Sequence, residues 1–143
     1  MKALIDTCVI IDALQNREPF SKAAQEIFLL GANHIVDGYI SAKSVTDIYY
    51  ITHRHTHNDK RTRKIISDIN IIFNIADTLN EDIINALASD ISDFEDAVMA
   101  ATAIRDGFDC IVTRNKKDYS AASLPVYEPE EFIALVHEAE QDF

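Results

Sequence analysis

Five aspartates stand where a chain could use them for chemistry. Asp6 closes a short apolar run, and Asp47 falls early in a helical pattern that follows a second run. Asp93 and Asp96 lie three residues apart at the start of an alanine-rich segment, hence on one helix face, and Asp118 follows a third run, Asp109 to Thr113. If the three runs are strands of one parallel sheet, these acids collect outside its carboxyl edge, with Thr7, Thr113 and Asn115 as polar neighbours. Two carboxylates about 5 Å apart repel by roughly 3 kcal/mol at an effective dielectric of about 20. Such a cluster needs protons or a cation. An all-oxygen donor set with retained waters suits Mg²⁺ or Mn²⁺ far better than zinc, and such an ion lowers the pKa of water and stabilises charge on a phosphoryl oxygen. The chemistry expected is metal-assisted hydrolysis of phosphodiesters or phosphomonoesters.

Each acid also has a purely structural explanation. Asp93 in a first helical turn answers the helix dipole, and Asp47 completes S-x-x-D with Ser44, a capping pattern. Asp6 beside Thr7 and Cys8 can accept backbone N–H bonds in a turn. Asp96 resists this treatment, because Ala97, Val98, Met99, Ala100, Ala101 and Ala103 describe a closely packed core helix that puts it at the edge of a buried face.

The elements that must position these groups alternate. Strands are expected at Lys2 to Asp6, His34 to Ile40, Asn74 to Ala76, Asp109 to Thr113 and Val126–Tyr127. Helices are expected at Val9 to Leu14, Ser21 to Leu30, Val45 to Thr56, Asp59 to Phe73, Glu81 to Ala88 behind an Asn80 cap, Ser92 to Arg105 behind an S-x-x-E box, and Glu130 to Glu140. Short apolar strands alternating with helices imply an α/β sandwich of three layers, its central sheet mostly parallel and covered on both faces. With no repeat or linker composition, residues 1–143 read as one domain.

Composition removes other classes. Only three glycines are present, so neither a GxGxxG turn nor a GxxxxGK[ST] phosphate loop can be built. Cys8 and Cys110 lack CxxC spacing, no signal peptide is legible, and no apolar stretch reaches the ~18 residues of a membrane span, so a cytoplasmic protein with reduced thiols and no membrane partner is expected. The net charge of −11 argues against a general nucleic-acid binder. Against that sum, HRHTHNDKRTRK at 53–64 concentrates Arg54, Lys60, Arg61, Arg63 and Lys64 around one acid, Asp59. This segment is either a solvated helix–helix turn or a place for a phosphate backbone. His53, His55 and His57 lack the further ligands of a zinc site. Residues 128–143 carry six acids and no Lys or Arg, the mark of a solvated helix or of a surface for self-association.

Four segments resemble the PIN-domain nucleases, and within them the VapC-like toxins of toxin–antitoxin pairs: ALIDTCVIIDAL (3–14), ISAKSVTDIYYI (40–51), DFEDAVMAATAIRDG (93–107) and CIVTRNKKDY (110–119). The resemblance implies a PIN-like three-layer fold that binds Mg²⁺ or Mn²⁺ and hydrolyses RNA to 5′-phosphate and 3′-hydroxyl products, a cognate antitoxin protein, and a homodimer. It assigns Asp6, Asp47, Asp96 and Asp118 as the catalytic acids, with Asp6, Asp96 and Asp118 on the metal. Thr7, Asp93, Thr113 and Asn115 are expected to support them, and the charge of Arg54, Lys60, Arg61, Arg63 and Lys64 makes those five the expected RNA contacts. Three departures stand out. Cys8 stands where many relatives carry Asn, Asp47 takes the place of a longer Glu, and Asn115 sits where the family often has Asp, so either Asn115 or Asp118 completes the site. A phosphomonoesterase with an Asp nucleophile would want Asp-x-Asp, which Asp6-Thr7-Cys8 lacks, and a receiver-like domain would want an acidic pair at the first strand. The remaining alternative is a degenerate domain of this family that only binds protein or RNA.

Overall fold

The computed structural model describes residues 1–141; Asp142, the last acid of the tail, lies outside the described residues. Five parallel strands form one sheet in the order β3-β2-β1-β4-β5, with β1 (Lys2–Ile5) in the middle, β2 (Asp37–Ser41) and β3 (Asn74–Ala76) to one side, and β4 (Cys110–Val112) and β5 (Val126–Tyr127) to the other. The chain therefore reverses direction across the sheet at the β1–β4 seam. A crevice outside the carboxyl ends of the strands at such a seam is where open α/β sheets place their ligands.

The strand residues divide by parity. Ala3, Ile5, Cys110 and Val112 face one core with α1 (Thr7–Leu14), α2 (Ser21–Ala32), α3 (Ala42–Thr56), α4 (Asp59–Ile72) and α7 (Pro129–Gln141). Leu4 and Ile111 face the other core with α5 (Asn80–Leu87) and α6 (Phe94–Arg105). Both faces are apolar, which is why β1 and β4 read as unbroken hydrophobic runs. Asp6 continues the extended backbone of β1 by one residue, its N–H bonded to the Val112 carbonyl at 2.9 Å. Period-two alternation then aims its side chain to the α6 side.

The helix starts differ from expectation in five places, the least of them α7, which begins at Pro129, one residue before Glu130. The first helix begins at Thr7, directly on Asp6. Helix α3 begins three residues early because Ser41 caps it, its Oγ accepting from the Ser44 N–H at 3.1 Å, so Ser44-x-x-Asp47 is not the cap and Asp47 lies in the second turn. The Asp93 side chain, not Ser92, caps α6, accepting from the Asp96 N–H at 2.9 Å. The first residue of α5 is Asn80 itself, and the Asp82 carboxylate accepts from the Leu79 N–H at 2.8 Å. Three strands also shorten: β1 stops at Ile5, β4 spans only Cys110–Val112, and β2 starts at Asp37, because His34, at φ 59°, closes the turn after α2.

Candidate metal centre

Asp6 is the buried floor of the site, only 8% exposed at the β1–α1 junction. Its Oδ1 accepts from the Thr7 N–H at 2.8 Å, and its Oδ2 accepts from the Thr113 hydroxyl at 2.8 Å and from the Tyr119 hydroxyl at 3.4 Å. Thr113 is itself placed by the end of β4, and the Asn115 N–H donates to its Oγ1 at 3.1 Å. Burial pushes the Asp6 carboxyl above its usual range, and the nearby charge of Glu95 adds to this, against the opposing bonds from Thr113 and Thr7.

Asp96, in the first turn of α6, approaches from across the cleft and is half-buried. Its carboxyl is pushed up to about 6, first by burial and then by the charges of Asp6, Asp93 and Asp118, while a bond from Tyr119 works the other way. Tyr119 is buried in the 3-10 turn Lys116–Tyr119, its hydroxyl donating to Asp6 and close enough to Asp96 to feel its charge. Burial and those two charges raise its pKa, so it stays a donor. Asp93 and Asp118 form the exposed rim.

Asp47 is placed differently. Its Oδ2 takes the Lys43 ammonium at 2.6 Å, and the same ammonium reaches Glu95 Oε1 at 2.8 Å. Lys43 thus stands between Asp47 and the acid that acts on Asp6. Glu95 and Lys43 escaped the sequence reading, the first because it was assigned to a cap. Tyr119 enters the sequence argument only as the last residue of CIVTRNKKDY. The Lys-x-x-x-Asp spacing of Lys43 and Asp47 was the available signal. Thr7 Oγ1 is buried with no partner.

The donor set is entirely oxygen, and a neutral hydroxyl lies beside its two innermost carboxylates. No three Asp, Glu, His or Cys side chains converge as a ready-made ligand group among the described residues. A cation here would be held by one or two carboxylates and completed by water and phosphate oxygens, which is how Mg²⁺ is usually bound. These residues fit such an ion and do not resemble a zinc cage.

The basic residues lie elsewhere. Arg54 ends α3, about 16 Å along the helix from Lys43. Lys60, Arg61, Arg63 and Lys64 occupy the first turns of α4, beyond a His57 cap at φ 52°. Arg63 pairs with Asp59 and Lys64 with Asp68, while Arg54, Lys60 and Arg61 have no ion pair among the described residues. No helix among them is long and apolar enough to cross a membrane.

No curated protein matches the chain. Solved structures do. A toxin–antitoxin complex from Klebsiella pneumoniae contains a chain 25% identical, with a TM-score of 0.64 over 89% of this chain and 97% of that one. VapBC2 from Rickettsia felis, bound to a promoter DNA fragment, gives 16% identity and a TM-score of 0.66 over 88% and 97%. FitAcB from Neisseria gonorrhoeae gives 21% and 0.66 over 90% and 98%. The PIN domain family model matches residues 2–117, which takes in Asp6, Asp47, Asp93, Asp96 and Asn115 and stops one residue short of Asp118. The chain belongs to the PIN-domain family.

Proposed function

We propose that this protein is a divalent-cation-dependent endoribonuclease, the toxin of a toxin–antitoxin pair. The observation that carries the reading is the Asp6–Asp96 cleft: two desolvated carboxylates meet at the sheet's reversal point beside the Tyr119 hydroxyl, which donates to Asp6, and neither has an ion pair among the described residues. Membership of the PIN-domain family and likeness to toxin–antitoxin toxins support the reading.

In this reading Asp6 and Asp96 would hold Mg²⁺ or Mn²⁺ with the rim acid Asp118 in support, and the ion would supply Lewis acidity toward water and a phosphoryl oxygen. The chain's own groups orient the reaction. Asp6 commits its oxygens to Thr7, Thr113 and Tyr119, so it is fixed in place. Asp96 and the rim acid Asp118 retain free lone pairs that orient a water for in-line attack on the phosphodiester. Asp47 acts at one remove, through Lys43, and Asp93 holds the backbone of Asp96. Thr113 and Asn115 brace the floor of the cleft.

Arg54, Lys60, Arg61, Arg63 and Lys64 supply phosphate contacts away from the cleft. We assign an antitoxin protein as partner and a homodimer as the assembly, the latter read by light scattering across a dilution series. Two free cysteines fit the reducing cytoplasm.

The test is hydrolysis of RNA in Mn²⁺ or Mg²⁺. Asp6→Asn and Asp96→Asn are expected to lose at least about a hundredfold in rate. If both cut as fast as the parent, the site assignment is wrong. Tight Mn²⁺ binding with no hydrolysis of any RNA would favour the degenerate binding module instead.

A further inference from the structure

We propose that the stripe of α3 formed by the half-buried Lys43 and Asp47 and the exposed Tyr50 and Arg54 is a track for single-stranded RNA, on which Tyr50 stacks a base. The inference rests on the hydrolase reading and adds where the substrate lies. Spacings of four, three and four residues put these side chains on one helix face, while Ser44, Ile48 and Thr52 on the opposite face are buried. One end of the stripe is tied to the acid cluster by the Lys43–Glu95 bond, and the other reaches the basic hairpin tip.

Tyr50 is the unexplained residue of that stripe. It is 63% exposed, although its neighbour Tyr49 is fully engaged. The Tyr49 hydroxyl donates to Asp59, which also holds Arg63, and its ring stacks on His53 at 5.6 Å. The Tyr50 ring meets that fixed ring edge to face, centroids 5.1 Å apart, so it is backed on one side and open on the other. A groove of about 370 Å³ runs beside it, lined by Val45, Thr46, Tyr49, Arg63 and Ile66.

Charge selects the occupant. In a chain of net charge −11, the tip offers Arg54, Lys60 and Arg61 exposed and without ion pairs among the described residues. An open aromatic face beside unpaired cations is the pattern that binds single strands without reading their sequence, whereas a duplex keeps its bases from any platform. Tyr50 lies about 10 Å along α3 from Lys43, roughly three phosphate steps of a stacked strand, and Arg54 lies about five steps away. Lys43 offsets part of the charge of Asp47 between them, its ammonium being shared with Glu95.

The chain contains no tryptophan, so Tyr50→Trp in an Asp6→Asn background gives one fluorophore on the track. Titration with a twelve-nucleotide oligo-uridine or oligo-adenosine RNA is expected to quench it saturably. The quench should weaken about tenfold or more when Arg54, Lys60 and Arg61 are all changed to Ala. Leu87→Trp, exposed on α5, should stay unquenched. In the otherwise unaltered chain, Tyr50→Ala is expected to raise KM about tenfold with kcat kept, and Tyr50→Phe to restore it. Cleavage by the unaltered chain together with no quench and an unchanged KM for Tyr50→Ala would overturn the track and leave the hydrolase reading standing. That is the result a surface built for a protein partner would give. Quenching without cleavage by the unaltered chain would uphold the track and remove the hydrolase.

Discussion

At the C-terminal end of α6, Arg105 grips the fully buried Asp82; at its N-terminal end, Asp96 faces Asp6 with a tyrosine hydroxyl beside them. Asp82 accepts from Arg105 Nε at 2.8 Å and Nη2 at 3.1 Å, from the Thr102 hydroxyl at 3.2 Å and from the Leu79 N–H at 2.8 Å. Burial pushes this carboxyl up, but the guanidinium and the added donors outweigh it and leave it below the usual range. Asp6 and Asp96 are desolvated too, yet both end above it. Burial is common to the two ends, so it cannot be what marks a functional acid. The mark is burial without a cation supplied by the chain, and a site of that kind is less stable empty than filled.

The contrast is broken most directly at Arg105. Arg105→Ala removes the partner of a buried charge, and chemical denaturation should show a loss of about 3–5 kcal/mol. A loss under about 1 kcal/mol would mean that Asp82 is not held as an anion. The opposite sign is expected at the other end. Asp96→Asn should stabilise the cation-free protein by about 1–2 kcal/mol above pH 6, discounted for partial exposure.

The sign follows from proton binding. Because the folded-state pKa is raised from 3.8 to about 6, the folded state holds the proton more tightly, and stability falls as pH rises between those values. The variant should therefore gain nothing below pH 4, and saturating Mg²⁺ should reverse its advantage. Asp82 has the reverse dependence, because its lowered pKa gives stability that is present above about pH 4 and is lost as pH falls through the folded value. The smallest effect belongs to the exposed Lys64–Asp68 pair: Lys64→Ala should leave the denaturation midpoint where it was.

The sheet and its site edge were legible because parallel strands buried on both faces leave continuous apolar runs, and because Asp6 and Thr113 end two of them. Asp96 was legible from the small residues that follow it. Less legible was whatever depends on rotation or on reach. The overlap of Ser92-x-x-Glu95 with Asp93-x-x-Asp96 differs by one residue, which is 100° of helix, and only tertiary packing decides between them. The wrong choice gave Glu95 to the cap and hid its bond to Lys43. Asp47 shows the limit of reach: its position was readable, but its ammonium partner one turn back, which determines what it can touch, was not weighed. Arg114 shows the same limit, since its grip on buried Asp12 at 2.7 Å joins residues 102 apart.

The N–H of Asp6 closes a rung of the β1–β4 ladder at the centre of the sheet. Its exchange with deuterium is expected to require the whole domain to open, so the buried acid proposed as the innermost ligand is mounted on a slow-opening part of the chain. Such a mounting acts as a rigid template: a cation arriving there changes charge and leaves shape alone. On the proposed reading, its binding should carry almost no heat-capacity change, and any gain in rate would come from where the charge is held, with no movement of the strands that hold it.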